Sequence, residues 1–144
     1  MKIYLATSWR NHYHPGVLHA LRRIGHEVYN FRQPSKDDSG FSWSEIDPNW
    51  KNWSASQYRE ALKSPIAVRG YANDKGALDW CDACVYLLPC GRSASWELGY
   101  AMGKGKPSYV VMLENDTPDL MFMEATIITN MTELFDIFGE PLDL

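Results

Sequence analysis

At 144 residues the chain is long enough for one domain with a real core and too short for two comfortable ones, so a single domain over residues 1–144 is expected. Hydrophobic residues at 45% and charged residues at 22% match globular averages and exclude a disordered or fibrous chain. A net charge of -4 argues against a binder of nucleic-acid polymers, which needs a basic stripe to displace counterions, but leaves room for one small anionic ligand held by local donors.

No apolar run approaches the roughly 20 residues that cross a bilayer. The opening MKIYLATSW turns polar too early for a signal peptide, so no membrane partner and a cytoplasmic location are expected. Three cysteines cannot close a disulfide framework and suit a reducing compartment. Cys81 and Cys84 form a CxxC with no second pair to complete a zinc set, and they read as buried free thiols. His12 and His14 precede Pro15 in a loop and read as solvated or substrate-lining. Neither a metal nor an organic cofactor is expected.

In chain order, KIYLAT (Lys2 to Thr7) is a short β-rich apolar run that reads as a buried first strand. After the loop SWRNHYH, Pro15 can take the first helical position. Val17, Leu18, Leu21 and Ile24 then recur at helical spacing, with Gly25 as the stop. EVYNF follows as a second strand, giving the strand-helix-strand opening of a parallel sheet. From Arg32 to Trp53 regular signals fade, yet three tryptophans fall in this long segment, which makes disorder a poor reading. Ser54 and Gln57 stand in capping-box spacing, and Ser64-Pro65 offers a second helix start for a segment running to about Trp80.

ACVYLLP and SYVVML are nearly continuously apolar, as central strands buried on both faces must be. ASWELGYAMGKG between them predicts a helix ending at Gly103 or Gly105. A short TIIT strand and a helix capped by Asn130 and Glu133 finish the chain. The pattern predicts a flavodoxin-like three-layer α/β fold of about five parallel strands, with ligands beyond the carboxyl ends of strands one and three. The loops TSWRN and PCGRS leave those ends and should face each other.

In PCGRSASWE, Gly91 permits close backbone approach, and Ser93 and Ser95 bring hydroxyls to the N–H groups of a helix start, a ready anion site. Arg92 and Arg10, one on each facing loop, can add charge-assisted bonds. The competing reading is that the serines cap the helix and the arginines are solvated. Glu97 falls about one turn into the same helix, where the dipole favours its ionised form, and reads either as a nucleophile toward an electrophilic sugar carbon or as an ordinary first-turn acid. Trp43, Trp50 or Trp53 can stack on a base, or can pack the loop or a subunit interface. Tyr4, Tyr86 and Trp96 read as core or crevice wall, and Lys104 and Lys106 as solvated helix ends.

The run from Asn73 to Pro107 resembles the nucleoside 2-deoxyribosyltransferase superfamily. The likeness rests on Glu97-Leu98-Gly99-Tyr100-Ala101 and Gly105-Lys106-Pro107, with Asp74 where the family carries an upstream Asp. IYLATSW is similar to the family's first strand and sugar-binding loop, while Arg32 to Pro65 is not accounted for. The resemblance implies that Glu97 attacks the anomeric carbon and displaces the nucleobase, that Asp74 protonates or orients the departing base, and that the protein is a homodimer. Family members acting on free nucleosides typically carry an acidic residue with Gly in the turn before the Glu. Gly91-Arg92-Ser93 stands there instead, and resembles the branch of N-glycosidases acting on nucleoside or deoxynucleoside 5'-monophosphates. The expected ligand is therefore a small-molecule nucleoside or nucleotide, bound by Thr7, Ser8, Arg10, Gly91, Arg92, Ser93, Ser95, Trp43 and Trp50. Base exchange between deoxynucleosides and a non-catalytic nucleotide-binding module are the alternatives.

Overall fold

Strands β1 (Lys2–Ala6) and β3 (Ala83–Leu87) have almost no polar side chains, and from Ile3 to Ala6 and from Ala83 to Leu87 every residue is buried. Runs of this kind must be covered on both faces, and they lie together in the middle of a sheet. The computed structural model describes residues 1–140. In it, β1, β2 (Glu27–Tyr29), β3, β4 (Ser108–Val111) and β5 (Thr126–Ile128) form one parallel sheet in the order β2-β1-β3-β4-β5. This is the flavodoxin-like order. The second and fourth strands are shorter than their apolar runs, because pairing stops at Tyr29 and Val111.

The pleat sorts residues by face. Ile3, Leu5, Val28, Val85, Leu87, Val111 and Ile128 turn to one side, where they pack against Val17, Leu18 and Leu21 of α1 (His14–Ile24) and Leu134 and Phe138 of α5 (Met131–Phe138). Tyr4, Ala6, Cys84, Tyr86 and Val110 fall on the alternate register, the side of α4 (Arg92–Gly103), whose buried stripe is Ala94, Leu98 and Ala101.

Helix ends follow their sequence signals. Gly25, at φ 113, stops α1 and lets its own N–H reach Arg22 O while the His26 N–H reaches Leu21 O. The same arrangement closes α4: Gly105 at φ 74 donates to Met102 O, and Lys106 N–H donates to Ala101 O. The Gly-Lys-Pro run is thus a helix stop. Lys106 is not a solvated end, since its Nζ donates to Cys81 O at 2.8 Å. Helix α1 starts one residue earlier than predicted, at His14, which is buried rather than solvated; His12 is exposed. Helix α5 is capped as expected, with Asn130 Oδ1 accepting from Glu133 N at 2.9 Å.

The chain forms two compact units, one of Met1–Asn30 with Trp80–Leu144 and one of Phe31–Asp79. The first holds the sheet with α1, α4 and α5. The second holds α2 (Ala55–Ala61), most of α3 (Pro65–Trp80) and two 3-10 turns, Trp43–Glu45 and Trp50–Asn52. Ser54 and Gln57 make the full capping box that opens α2. The long segment has an aromatic cluster of its own: Trp43 meets Phe41, Trp53 and Tyr58 edge to face, with centroids at 4.7, 5.7 and 5.9 Å. Among the described residues no helix is long and apolar enough to cross a membrane.

Leu21 is fully buried between α1 and the sheet. Leu21→Ala should therefore cost about 2–5 kcal/mol in urea unfolding, whereas Ser54→Ala, which removes one exposed cap, should cost about 1 kcal/mol.

Candidate functional site

Because β1 and β3 are adjacent and parallel, with Ala6 opposite Tyr86, the chain leaves both strands at the same edge of the sheet. The two loops are joined where they begin. Thr7 Oγ1 donates to Leu87 O at 2.7 Å, and Asn11 Nδ2 donates to Thr7 Oγ1, Leu87 O and Pro89 O at 2.9, 3.1 and 3.2 Å. The Ser8 hydroxyl accepts from Arg10 N at 3.2 Å, which folds the outer part of the first loop back on itself. On its other flank this loop reaches the segment that follows β4, through Tyr13 OH donating to Glu114 Oε2 at 3.1 Å.

Helix α4 begins two residues earlier than predicted. Gly91 is its cap and supplies no side-chain acceptor, so Ser93 and Ser95 stand inside the helix and do not cap it. A Cβ added at Gly91 would meet no protein atom within 4 Å, so the fold does not require glycine there. Arg92 and Ser93 are exposed in the first turn, and Arg10 is exposed on the facing loop. Ser95 Oγ donates to Gly91 O at 3.1 Å and lies 2.9 Å from the Tyr86 hydroxyl.

Glu97 is the sixth residue of α4, in its second turn rather than its first, so the helix dipole gives it less than the sequence suggests. It is half-buried, four residues from Ser93 and so on the same helix face. Its negative charge reaches two thiols, helping to raise both Cys84 and Cys90. Burial is the larger cause in each case: it holds Cys84 well above the ordinary thiol range and pushes Cys90 up to about 11, with a hydrogen bond from Tyr86 acting in the opposite direction. Burial likewise raises the Tyr86 phenol. Both thiols are therefore neutral at neutral pH.

Cys81 and Cys84 are buried free thiols, and among the described residues no three His, Cys, Asp or Glu side chains gather as a metal cluster would require. The remaining predicted site residues belong to the second unit. Asp74 is half-buried on α3; Trp43 is the hub of the aromatic cluster; Trp50 opens the second 3-10 turn, with Lys51 Nζ at 5.6 Å from its ring centre. Sequence reasoning missed Asn11, whose importance comes from bonds to a loop 76 to 78 residues away. Tyr86, read as core or crevice wall, is buried on the α4 face, where the two-residue strand period puts it.

No protein-family model matches the chain, and no curated protein matches it. Similar solved structures include the 2-deoxyribosyltransferase of the psychrotolerant bacterium Bacillus psychrosaccharolyticus. The two superpose with a TM-score of 0.65 over 100% of each chain at 18% identity. At that identity the likeness is one of fold.

The thiol environment is testable. A raised pKa leaves less thiolate at a given pH, so alkylation of Cys90 at pH 8 should run at least about tenfold slower than that of an unperturbed cysteine and climb toward about pH 11. Tyr86→Phe removes the contact that lowers it and should move the climb to higher pH. A rate equal to a free-thiol standard would contradict this environment.

Proposed function

We propose that the chain, acting as one domain, cleaves the N-glycosidic bond of a nucleoside or deoxynucleoside 5'-monophosphate, with Glu97 as the nucleophile. The observation that carries this reading is the position of Glu97 one helical turn beyond Ser93, on a helix that starts at an uncapped glycine at the edge shared by β1 and β3. First-turn N–H groups, the Ser93 hydroxyl and the Arg92 guanidinium form a donor set suited to a phosphate, with Ser8 and Arg10 on the neighbouring loop. The fold shared with a 2-deoxyribosyltransferase over the whole of both chains supports the superfamily resemblance.

In the first step the Glu97 carboxylate bonds to the anomeric carbon as the carbon-nitrogen bond breaks. The base leaves with that electron pair and takes up a proton, for which the resemblance nominates Asp74. In the second step water attacks the glycosyl ester and restores the carboxylate. The balance is nucleotide plus water giving free base plus sugar 5-phosphate, and it calls for no cofactor. Trp43 and Trp50 are proposed as stacking walls for the base. We further place the protein in the cytoplasm, which the three free thiols suit, and as a homodimer, which rests on the resemblance and is checked by light scattering.

The second reading is base exchange, favoured by the activity named for the Bacillus enzyme. Base release from a panel of nucleosides and their 5'-monophosphates decides between them. Hydrolysis predicts release from monophosphates without an added base, reduced at least about 1000-fold in Glu97→Gln. Exchange predicts reaction of free nucleosides only when a second base is present. A thermal shift with nucleotide but no base release in any mixture would leave a binding module.

Gly91→Ala should cost only about 1 kcal/mol, the preference of a helix cap for Gly over Ala, because the added methyl meets no protein atom. It should raise KM for a monophosphate by about tenfold, because the methyl enters the space assigned to the phosphate. An unchanged KM would remove Gly91 from the phosphate site.

A further inference from the structure

Asn11 is only 2% exposed, yet it lies in a loop, and both ends of its amide are used. Its Oδ1 accepts from Tyr13 N at 2.8 Å, while its Nδ2 donates across to Leu87 O and Pro89 O and back to Thr7 Oγ1. Its backbone carbonyl accepts from His14 N, at the first residue of α1, and its backbone N–H donates to Ser8 O. One side chain thus bonds the β1 loop to the last carbonyl of β3, at Leu87, and to the carbonyl of Pro89, which immediately precedes Cys90. Asparagine suits this geometry because it offers two N–H donors and one acceptor on a short side chain. Aspartate would turn a second oxygen toward two carbonyls, and leucine of similar volume would take away the side-chain donor to Pro89 O and the side-chain acceptor for Tyr13 N.

We infer that Asn11 is a positioning residue that fixes the loop of Ser8 and Arg10 against the Pro89–Gly91 turn that leads into the first turn of α4, so that the anion-binding donors on the two sides stand in a fixed relation. The clamp acts on the loops and not on Glu97, which is carried by the body of α4 through buried Ala94, Leu98 and Ala101. Only the kinetic consequence rests on the proposed hydrolysis.

The test separates the two. Backbone order parameters are measured for the ligand-free wild type, Asn11→Asp and Asn11→Ala. Asn11→Asp keeps the acceptor for Tyr13 N and loses the cross-loop donors. Order parameters should fall from near 0.85 to below about 0.6 at residues 90–93, far from the substitution in sequence, with the strands unchanged. Rigid 90–93 residues in a folded Asn11→Asp protein would overturn the inference. Should both Asn11 variants fail to fold, Thr7→Val and Thr7→Ser carry the same test. Val removes the hydroxyl between the loops and should loosen residues 90–93, and Ser should restore them; equal behaviour of the two would overturn it. In the kinetic arm, Asn11→Asp should raise KM for a deoxynucleoside 5'-monophosphate about tenfold and leave kcat within about threefold. A loss confined to kcat would overturn the positioning role. If the wild type releases no base at all, the proposed hydrolysis fails while the order parameters still decide the clamp.

Discussion

The pairing of β1 with β3 is the constraint on which the rest of the site depends. In a parallel sheet of order β2-β1-β3-β4-β5 the chain leaves these two central strands in opposite directions along the sheet. The register that sets Ala6 against Tyr86 brings Thr7 beside Leu87, within hydrogen-bonding reach. Every later feature follows from that proximity. Asn11 can reach Leu87 O and Pro89 O, α4 can start at Gly91 with its first-turn N–H groups at the sheet edge, and Glu97 arrives one helical turn from Ser93.

The chemistry at this edge has a division of labour. Some polar groups hold the scaffold: Thr7, Asn11, Ser95 and Tyr86 bond mainly within the protein. Others face outward: Ser8, Arg10, Arg92 and Ser93 lie on exposed or half-exposed loop and helix-start positions. The thiols contribute no charge, because burial keeps Cys84 and Cys90 protonated. On the proposed reading this leaves Glu97 as the nucleophile, one helical turn along α4 from donors suited to a phosphate.

The strands were legible because a segment buried on both faces must be apolar throughout, and Ile3 to Ala6 and Ala83 to Leu87 are. Caps and stops were legible for a similarly local reason: Ser54 with Gln57, Asn130 with Glu133 and Gly25 act within a few residues. The start of α4 was not. Arg92 and Ser93 carry no strong helix signal, and the missing cap at Gly91 shifted the helix by two residues and moved Glu97 into the second turn. Which hydroxyls are already engaged was also hidden. Thr7 and Ser95 read as ligand-facing, but their bonds to Leu87 O and Gly91 O depend on strand order and helix register. Asn11 and Lys106 were missed on the same ground, since their acceptors lie 76 and 25 residues away. The long tryptophan segment was rightly kept from disorder, but its aromatic cluster could be seen only once folded.

The measurement that bears most directly on the central claim is intact-protein and peptide mass spectrometry after rapid quenching with a deoxynucleoside 5'-monophosphate. The account predicts a sugar-phosphate adduct on Glu97 that forms within one turnover, decays on standing in water and is absent in Glu97→Gln. Base release at full rate with no adduct, or with the adduct on another residue, would contradict it.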